Sequence, residues 1–268
     1  MIQQKIAILG GGNIGSAIAA GLVRSGDVKP DHITVTRRKL HLLYSLKEKG
    51  VKVTDNNKQA LDQSEMVILA VRPRQMEGLL QEISSYLNAE KHILVSVVTA
   101  FPIARIVKIS GDHIPVFRAM PNTAASVCES VTGLSAGNHD PEKIKMVQAV
   151  FERVGRTYLI EEQLLESATI MDACAIAYFL RVIRAFMQGG IQIGFHASDA
   201  QMIAAQVAKG AASLLLETGI HPEEEIDKVT TPRGVTIAGL NEMEHHGMSS
   251  ALIKGITASF HEIEKLRE

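Results

Sequence analysis

Residues 5–26 read KIAILGGGNIGSAIAAGLVRSG, and within this stretch Gly10, Gly12 and Gly15 fall at G-x-G-x-x-G spacing. Each position has a physical reason to be glycine in a turn that receives a pyrophosphate. Gly10 permits a tight bend, Gly12 lets backbone approach the phosphates, and Gly15 lets the following helix pack on the strand. The amides at the helix start, with Asn13 and Ile14 between the glycines, then meet the anion with help from the helix dipole. The competing reading is a glycine bend with no ligand. An apolar run ahead of the glycines and a helical pattern behind them favour the nucleotide site.

A second group follows at the end of the next β-branched run, ITVTRRK, where Thr36, Arg37 and Arg38 stand without a carboxylate. A site for NAD carries Asp or Glu there for the ribose 2′-hydroxyl. Two guanidiniums beside a hydroxyl suit a 2′-phosphate instead, because Arg offers forked and permanently charged donors. NADPH is therefore expected over NADH, the alternative being a solvated basic helix start. Ala70, Val71, Arg72 and Pro73 close another run at the sheet edge where ligands bind in open α/β folds, with Pro73 suited to start a helix. Ser96 to Ala100 end the next with small residues that suit a nicotinamide or an ordinary turn.

The elements that must position these groups are legible as alternation. Up to about residue 160 the runs KIAIL, HITVT, MVILAV, HILVSVV, HIPVFRAM, VTGLSA and GRTYLI alternate with helical patterns. Several are almost wholly apolar, as strands covered on both faces are. This order predicts right-handed βαβ units and a Rossmann-type, doubly wound, mostly parallel sheet. Beyond it, 163–195, 198–218, 222–229, 234–246 and 249–267 read as helices and no strand pattern returns. The expected division is an α/β domain at 1–160 that binds the dinucleotide and an all-α domain at 161–268.

The chain has 268 residues, 46% hydrophobic and 21% charged, with a formal net charge of −1. Such a balance carries no basic field for nucleic acid or an anionic membrane, so neither is expected as a partner. No apolar run reaches the roughly 20 residues of a membrane span. The first residues, MIQQKIAIL, enter a strand pattern and leave no room for a leader, and two isolated cysteines, Cys128 and Cys174, form no disulfide framework or metal site. A reducing, cytoplasmic setting is expected.

Read with FRAMPNT (117–123) and VTTPRGVTIAGL (229–240), these motifs resemble pyrroline-5-carboxylate reductases over essentially the whole chain. The most diagnostic match is Thr231, Pro232, Gly234, Thr236, Gly239 and Leu240. The resemblance implies NAD(P)H-dependent reduction of a cyclic imine to proline and a homodimer built from intertwined helical domains. It also implies a substrate carboxylate held by backbone amides near Gly234 and Val235, with Thr236 against the ring nitrogen. Asn122 is expected at the cofactor crevice and beside the substrate. The bottom-up reading agrees, since a helix starting after TTPRG leaves N–H groups at Gly234, Val235 and Thr236 for an anion.

Departures from the family pattern cluster around the expected substrate site. DACAIAY (172–178) stands where S-G-S-G-P-A-Y is common, and Arg233 occupies a position usually given to glycine. Two readings stay open: Asp172 and Arg233 reshape the pocket for a related imine or keto acid, or both lie on the surface. A cofactor-binding sensor without turnover is a third. The segment 167–195 contains no lysine, which separates the chain from β-hydroxyacid dehydrogenases. Tyr178, Arg181, Gln188 and Gln192 fall close to one face there and are read as a solvent-facing stripe, the alternative being a groove or dimer contact.

Overall fold

The computed structural model describes residues 2–137 and 140–265. Its first part runs β1 (Ile6–Leu9), α1 (Asn13–Arg24), β2 (Ile33–Thr36), α2 (Tyr44–Glu48), β3 (Lys52–Thr54), α3 (Asn57–Asp62), β4 (Met66–Leu69) and α4 (Pro73–Ile83). It continues through β5 (Ile93–Ser96), α5 (Ile103–Ser110), β6 (Val116–Met120), β7 (Ser130–Ser135), α6 (Pro141–Phe151) and β8 (Gly155–Leu159). The helical part holds α7 (Leu165–Ala168), α8 (Ala175–Gln192), α9 (Ala197–Thr218), α10 (Pro222–Val229), α11 (Val235–His245) and α12 (Met248–Lys265). None of the described helices is long and apolar enough to cross a membrane.

The strands form one sheet in the order β3-β2-β1-β4-β5-β6-β7-β8. Every pairing is parallel except β6 with β7. The expected architecture is therefore present, with one strand more than the apolar runs announced. β3 is three residues at the sheet edge, half exposed, and so lacks the apolar signature of a buried strand.

Alternate residues of the central strands feed two cores. Ile6, Ile8, Met66 and Ile68 pack with Ile18, Leu22 and Val147 on the face of α1 and α6. Ala7, Leu9, Val67 and Leu69 pack with Leu61, Met76, Leu80 and Ile106 on the face of α3, α4 and α5. Each fully buried Val, Leu, Ile or Met side chain contributes about 1.5–3 kcal/mol. Both faces being covered explains why these strands are apolar throughout.

Contacts divide the chain into two compact units, Met1–Ile176 with Phe260–Glu268, and Ala177–Ser259. The last strand ends at Leu159, close to the change of character near residue 160, yet the following segment still packs with the sheet unit. Its apolar side chains explain this: Leu165 and Ala168 pack on Met120, with Ile160 and Ala173 against them. Nor is 163–195 one uniform helix. A 3-10 turn at Glu162–Leu164 leads into α7, a π-helical turn spans Thr169–Cys174, and α8 follows.

Candidate active site

The glycine turn is built as its spacing predicts. Gly10 has φ +116, and a Cβ there would lie 2.4 Å from the carbonyl oxygen of Ala70. At Gly15 a Cβ would sit 2.1 Å from the Gly10 carbonyl oxygen, so helix and turn close on one another. Gly12, by contrast, faces open space with nothing within 4 Å. It caps α1 with no side-chain hydrogen bond, and no acidic residue occupies the first turn. An acid-free helix start beside open space is a fit for phosphate, by amide donors and dipole together.

Around this turn lies a cavity of about 830 Å3 at the carboxyl ends of β1, β2, β3 and β4. Of the residues singled out from sequence, Gly10, Gly12, Thr36, Arg37, Arg38, Ala70, Val71 and Arg72 line it. Asn13, Ile14 and Gly15 form the first turn of α1, and Pro73 is the first residue of α4, as its fixed φ favours. Three backbone bonds set the rim: Gly11 N–H to Thr36 at 2.7 Å, Ala70 N–H to Leu9 at 2.9 Å and Arg37 N–H to Thr54 at 3.0 Å.

The two arginines differ. Arg37 is half-buried and its Nη1 donates to the carbonyl of Gly11, so it braces the glycine turn as much as it faces the cavity. Arg38 is exposed, and Lys39, which the sequence reading passed over, lines the cavity beside it. The signal was present as a third consecutive cation. Asp55 directly follows β3, the strand that the apolar pattern missed, and Asn57 opens α3.

Asn122 is not among the lining residues. Its side chain is buried and committed to the protein at both ends. The carbonyl accepts from Ala124 N–H at 2.8 Å and the amide donates to the Asp172 carbonyl at 2.8 Å. Each end of the amide makes one bond and keeps one N–H or lone pair, so the structure adds a bracing role to the contact with cofactor and substrate expected from the sequence. Ser96–Ala100 likewise stand outside the cavity lining; Ala100 turns with φ +56 and Thr99 Oγ1 lies 4.0 Å from Met120 Sδ.

In the second unit, Thr230–Gly234 bring the chain into α11. Arg233 adopts φ +60, a left-handed conformation that explains why glycine suits this position. The N–H of Gly234 is spent on the Thr231 carbonyl at 2.8 Å, which corrects the expectation of a free amide there. α11 has no side-chain cap, so its first turn at Val235 and Thr236 points amides outward without an intrahelical partner. Arg233, Val235 and Thr236 are exposed, Val235 to 90%. Arg181, Gln188 and Gln192 are exposed, whereas Tyr178 is half-buried with its hydroxyl 2.5 Å from Ser259 Oγ. An apolar groove of about 520 Å3, lined by Phe186, Ile193, Phe195, Ile203, Val207 and Met243, opens on the same unit.

Asp172 is neither a surface residue nor a lining residue of the cofactor cavity. It is 5% exposed, and its Oδ2 accepts from Gly133 N–H at 3.0 Å and Tyr158 Oη at 2.8 Å. Burial holds its carboxyl above the usual range despite those two donors, and burial with the neighbouring carboxylate pushes the Tyr158 phenol up. Burial also raises the Cys174 thiol, which fits a packing role rather than a nucleophile. The sequence reading missed Arg118 entirely. It is 1% exposed, pairs with Glu162 at 3.2 Å, and shares that carboxylate with Ile103 N–H at 2.6 Å.

Comparison with known proteins places the two parts of the chain. Residues 5–100 match the profile described as NADP oxidoreductase coenzyme F420-dependent, and residues 162–266 match pyrroline-5-carboxylate reductase dimerisation. Pyrroline-5-carboxylate reductase 2 of Dictyostelium discoideum is 43% identical over 96% of this chain and 91% of its own length. The chain belongs to the pyrroline-5-carboxylate reductase family. Pyrroline-5-carboxylate reductase 1 of the same organism is 46% identical over 97% of the chain, which spans 49% of that longer relative. The solved pyrroline-5-carboxylate reductase of Coxiella burnetii is 28% identical with a TM-score of 0.87, covering 99% of both chains. Family membership accounts for the union of a dinucleotide cavity and a helical unit rich in exposed apolar side chains.

Proposed function

We infer that this chain is an NADPH-dependent reductase that converts 1-pyrroline-5-carboxylate to L-proline. The observation that carries the reading is the cationic corner Thr36–Lys39 at an acid-free glycine turn, in a chain of this family. Bound NADPH supplies a hydride to the C=N carbon. Everything else falls to the protein, and the assignments below are our proposal.

The amides from Gly12 to Gly15, with Asn13 and Ile14, hold the pyrophosphate, while Gly10 shapes the turn. Thr36, Arg38 and Lys39 face the 2′-phosphate, and Arg37 keeps the turn in place through Gly11. Ala70, Val71, Arg72 and Pro73 border the crevice. At the start of α11, the amides of Val235 and Thr236 and the guanidinium of Arg233 receive the substrate carboxylate. The Thr236 hydroxyl hydrogen-bonds the ring nitrogen. A protonated imine that gains hydride becomes a neutral secondary amine and then takes one proton from solvent, so little acid–base machinery is required and placement dominates.

Residues 1–160 thus act as the cofactor domain and 161–268 as the substrate and dimerisation domain. Phe179, Phe186 and Ile193 are 68%, 53% and 78% exposed in the single chain, which supports a homodimer that covers them. Two free cysteines fit a cytoplasmic setting. The test is loss of NADPH absorbance with 1-pyrroline-5-carboxylate and formation of proline. Tight NADPH binding with no turnover of the imine would refute the reading.

A further inference from the structure

The carboxylate of Asp172 lies inside the π-helical turn Thr169–Cys174, where the ladder is shifted by one residue and Ala175 N–H donates to the Ile170 carbonyl. Three bonds converge on this one residue. Its side chain takes Gly133 N–H from β7 and the Tyr158 hydroxyl from β8, and its backbone carbonyl takes the Asn122 amide. Room for the carboxylate exists because residue 133 is glycine. A Cβ there would stand 3.0 Å from both Asp172 Oδ2 and Tyr158 Oη.

Asn122 passes the constraint on. Its backbone N–H donates to Ser130 Oγ at 3.0 Å and its side-chain carbonyl caps the 3-10 turn Thr123–Val127. That turn packs so closely on α1 that a Cβ at Gly21 would fall 1.9 Å from the Ala125 carbonyl oxygen. Met120, just before the loop, touches Thr99 at the carboxyl end of β5. The loop after β6 is thereby tied to α1 on one side and to the end of β5 on the other.

We propose that Asp172 is a positioning residue, which anchors the wide turn to β7 and β8 so that its carbonyl holds Asn122 and fixes the loop after β6. The proposal rests on the functional reading above and adds to it that the loop after β6, at the carboxyl end of its strand, borders the nicotinamide. Asp172 works as a hydrogen-bond acceptor and exchanges no proton with substrate, since Oδ2 is turned into the sheet and both its bonds are internal. Its carboxylate is thus distinct in role from a pocket-reshaping charge.

The experiment compares wild type with Asp172→Asn, Asp172→Ala and Tyr158→Phe, all as the full chain. The readouts are kcat and KM for NADPH and the imine, and hydrogen exchange over residues 121–128. Asparagine keeps an oxygen that accepts from Gly133 and Tyr158, so D172N retains kcat within about threefold. D172A lowers kcat roughly tenfold or more through misplacement, with KM for NADPH changed less than about twofold because the glycine turn is untouched. Exchange over 121–128 rises in D172A and not in D172N. Should D172A fail to fold, Y158F carries the test, with kcat down about threefold or more and the same exchange signature. Wild-type kcat in D172A or in Y158F, or D172N as impaired as D172A, overturns the proposal. A wild type that consumes no NADPH with the imine refutes the functional reading instead, and exchange then tests the clamp by itself.

Discussion

Removing Arg38 and Lys39 together separates the 2′-phosphate site from the rest of the cofactor cavity. Both side chains are exposed at its rim, whereas Arg37 is half-buried and donates to the Gly11 carbonyl. A hydrogen bond to a charged group contributes about 1.5–3 kcal/mol, or roughly 10- to 150-fold in affinity. Solvent access at the rim puts each of these two toward the lower bound. The double variant R38A/K39A should therefore raise Kd for NADPH by roughly 100-fold while changing Kd for NADH by less than about threefold. Arg37→Ala behaves differently: loss of the brace on Gly11 disturbs the pyrophosphate turn, which both cofactors share, and both weaken together. The assay is fluorescence titration of NADPH and NADH at two salt concentrations. Screening over a Debye length of about 8 Å at physiological salt should shrink the NADPH advantage as salt rises. Equal loss for both cofactors in R38A/K39A would refute the assignment of the cationic corner.

Glycine substitutions should divide by the space around each Cβ. Gly12→Ala meets open space, so it should leave the melting temperature within about 2 °C and weaken NADPH tenfold or more, whereas Gly10→Ala, strained at φ +116 and against Ala70, should lose about 1–3 kcal/mol of stability as well; thermal melts beside cofactor titrations check both. Glu162→Ala should destabilise the sheet unit by about 3 kcal/mol in urea unfolding, because the buried Arg118 guanidinium loses its carboxylate. Arg233→Gly relieves a left-handed non-glycine residue worth roughly 1–2 kcal/mol, so the melting temperature should rise by about 2–4 °C. The same change should raise KM for the imine about tenfold at little cost in kcat, and an unchanged KM would remove Arg233 from the carboxylate site.

What could be read along the chain was local. The glycine turn, the carboxylate-free end of β2 and the proline opening α4 are each set by a few consecutive residues, and each sits where its chemistry demands. Long-range commitments were not legible. Asn122 meets Asp172 across 50 positions, and Asp172 meets Gly133 across 39, so neither bond leaves a trace in spacing. For the same reason the second role of Arg37, as a brace on Gly11 across 26 positions, was hidden. The π-helical turn escaped because apolar periodicity is nearly the same for α and π geometry over six residues. Arg118 did carry a usable signal. A lone charge within the apolar strand VFRAM is buried and therefore paired, since an unpaired guanidinium in a core is too costly.

Isotope transfer tests the account most directly. With NADPH carrying deuterium at both positions of nicotinamide C4, turnover of 1-pyrroline-5-carboxylate should place one deuterium on the ring carbon that formed the C=N bond, and none on the carbon bearing the carboxylate. Proline formed without deuterium, or deuterated cofactor left unconsumed beside the imine, would contradict hydride transfer from this cavity.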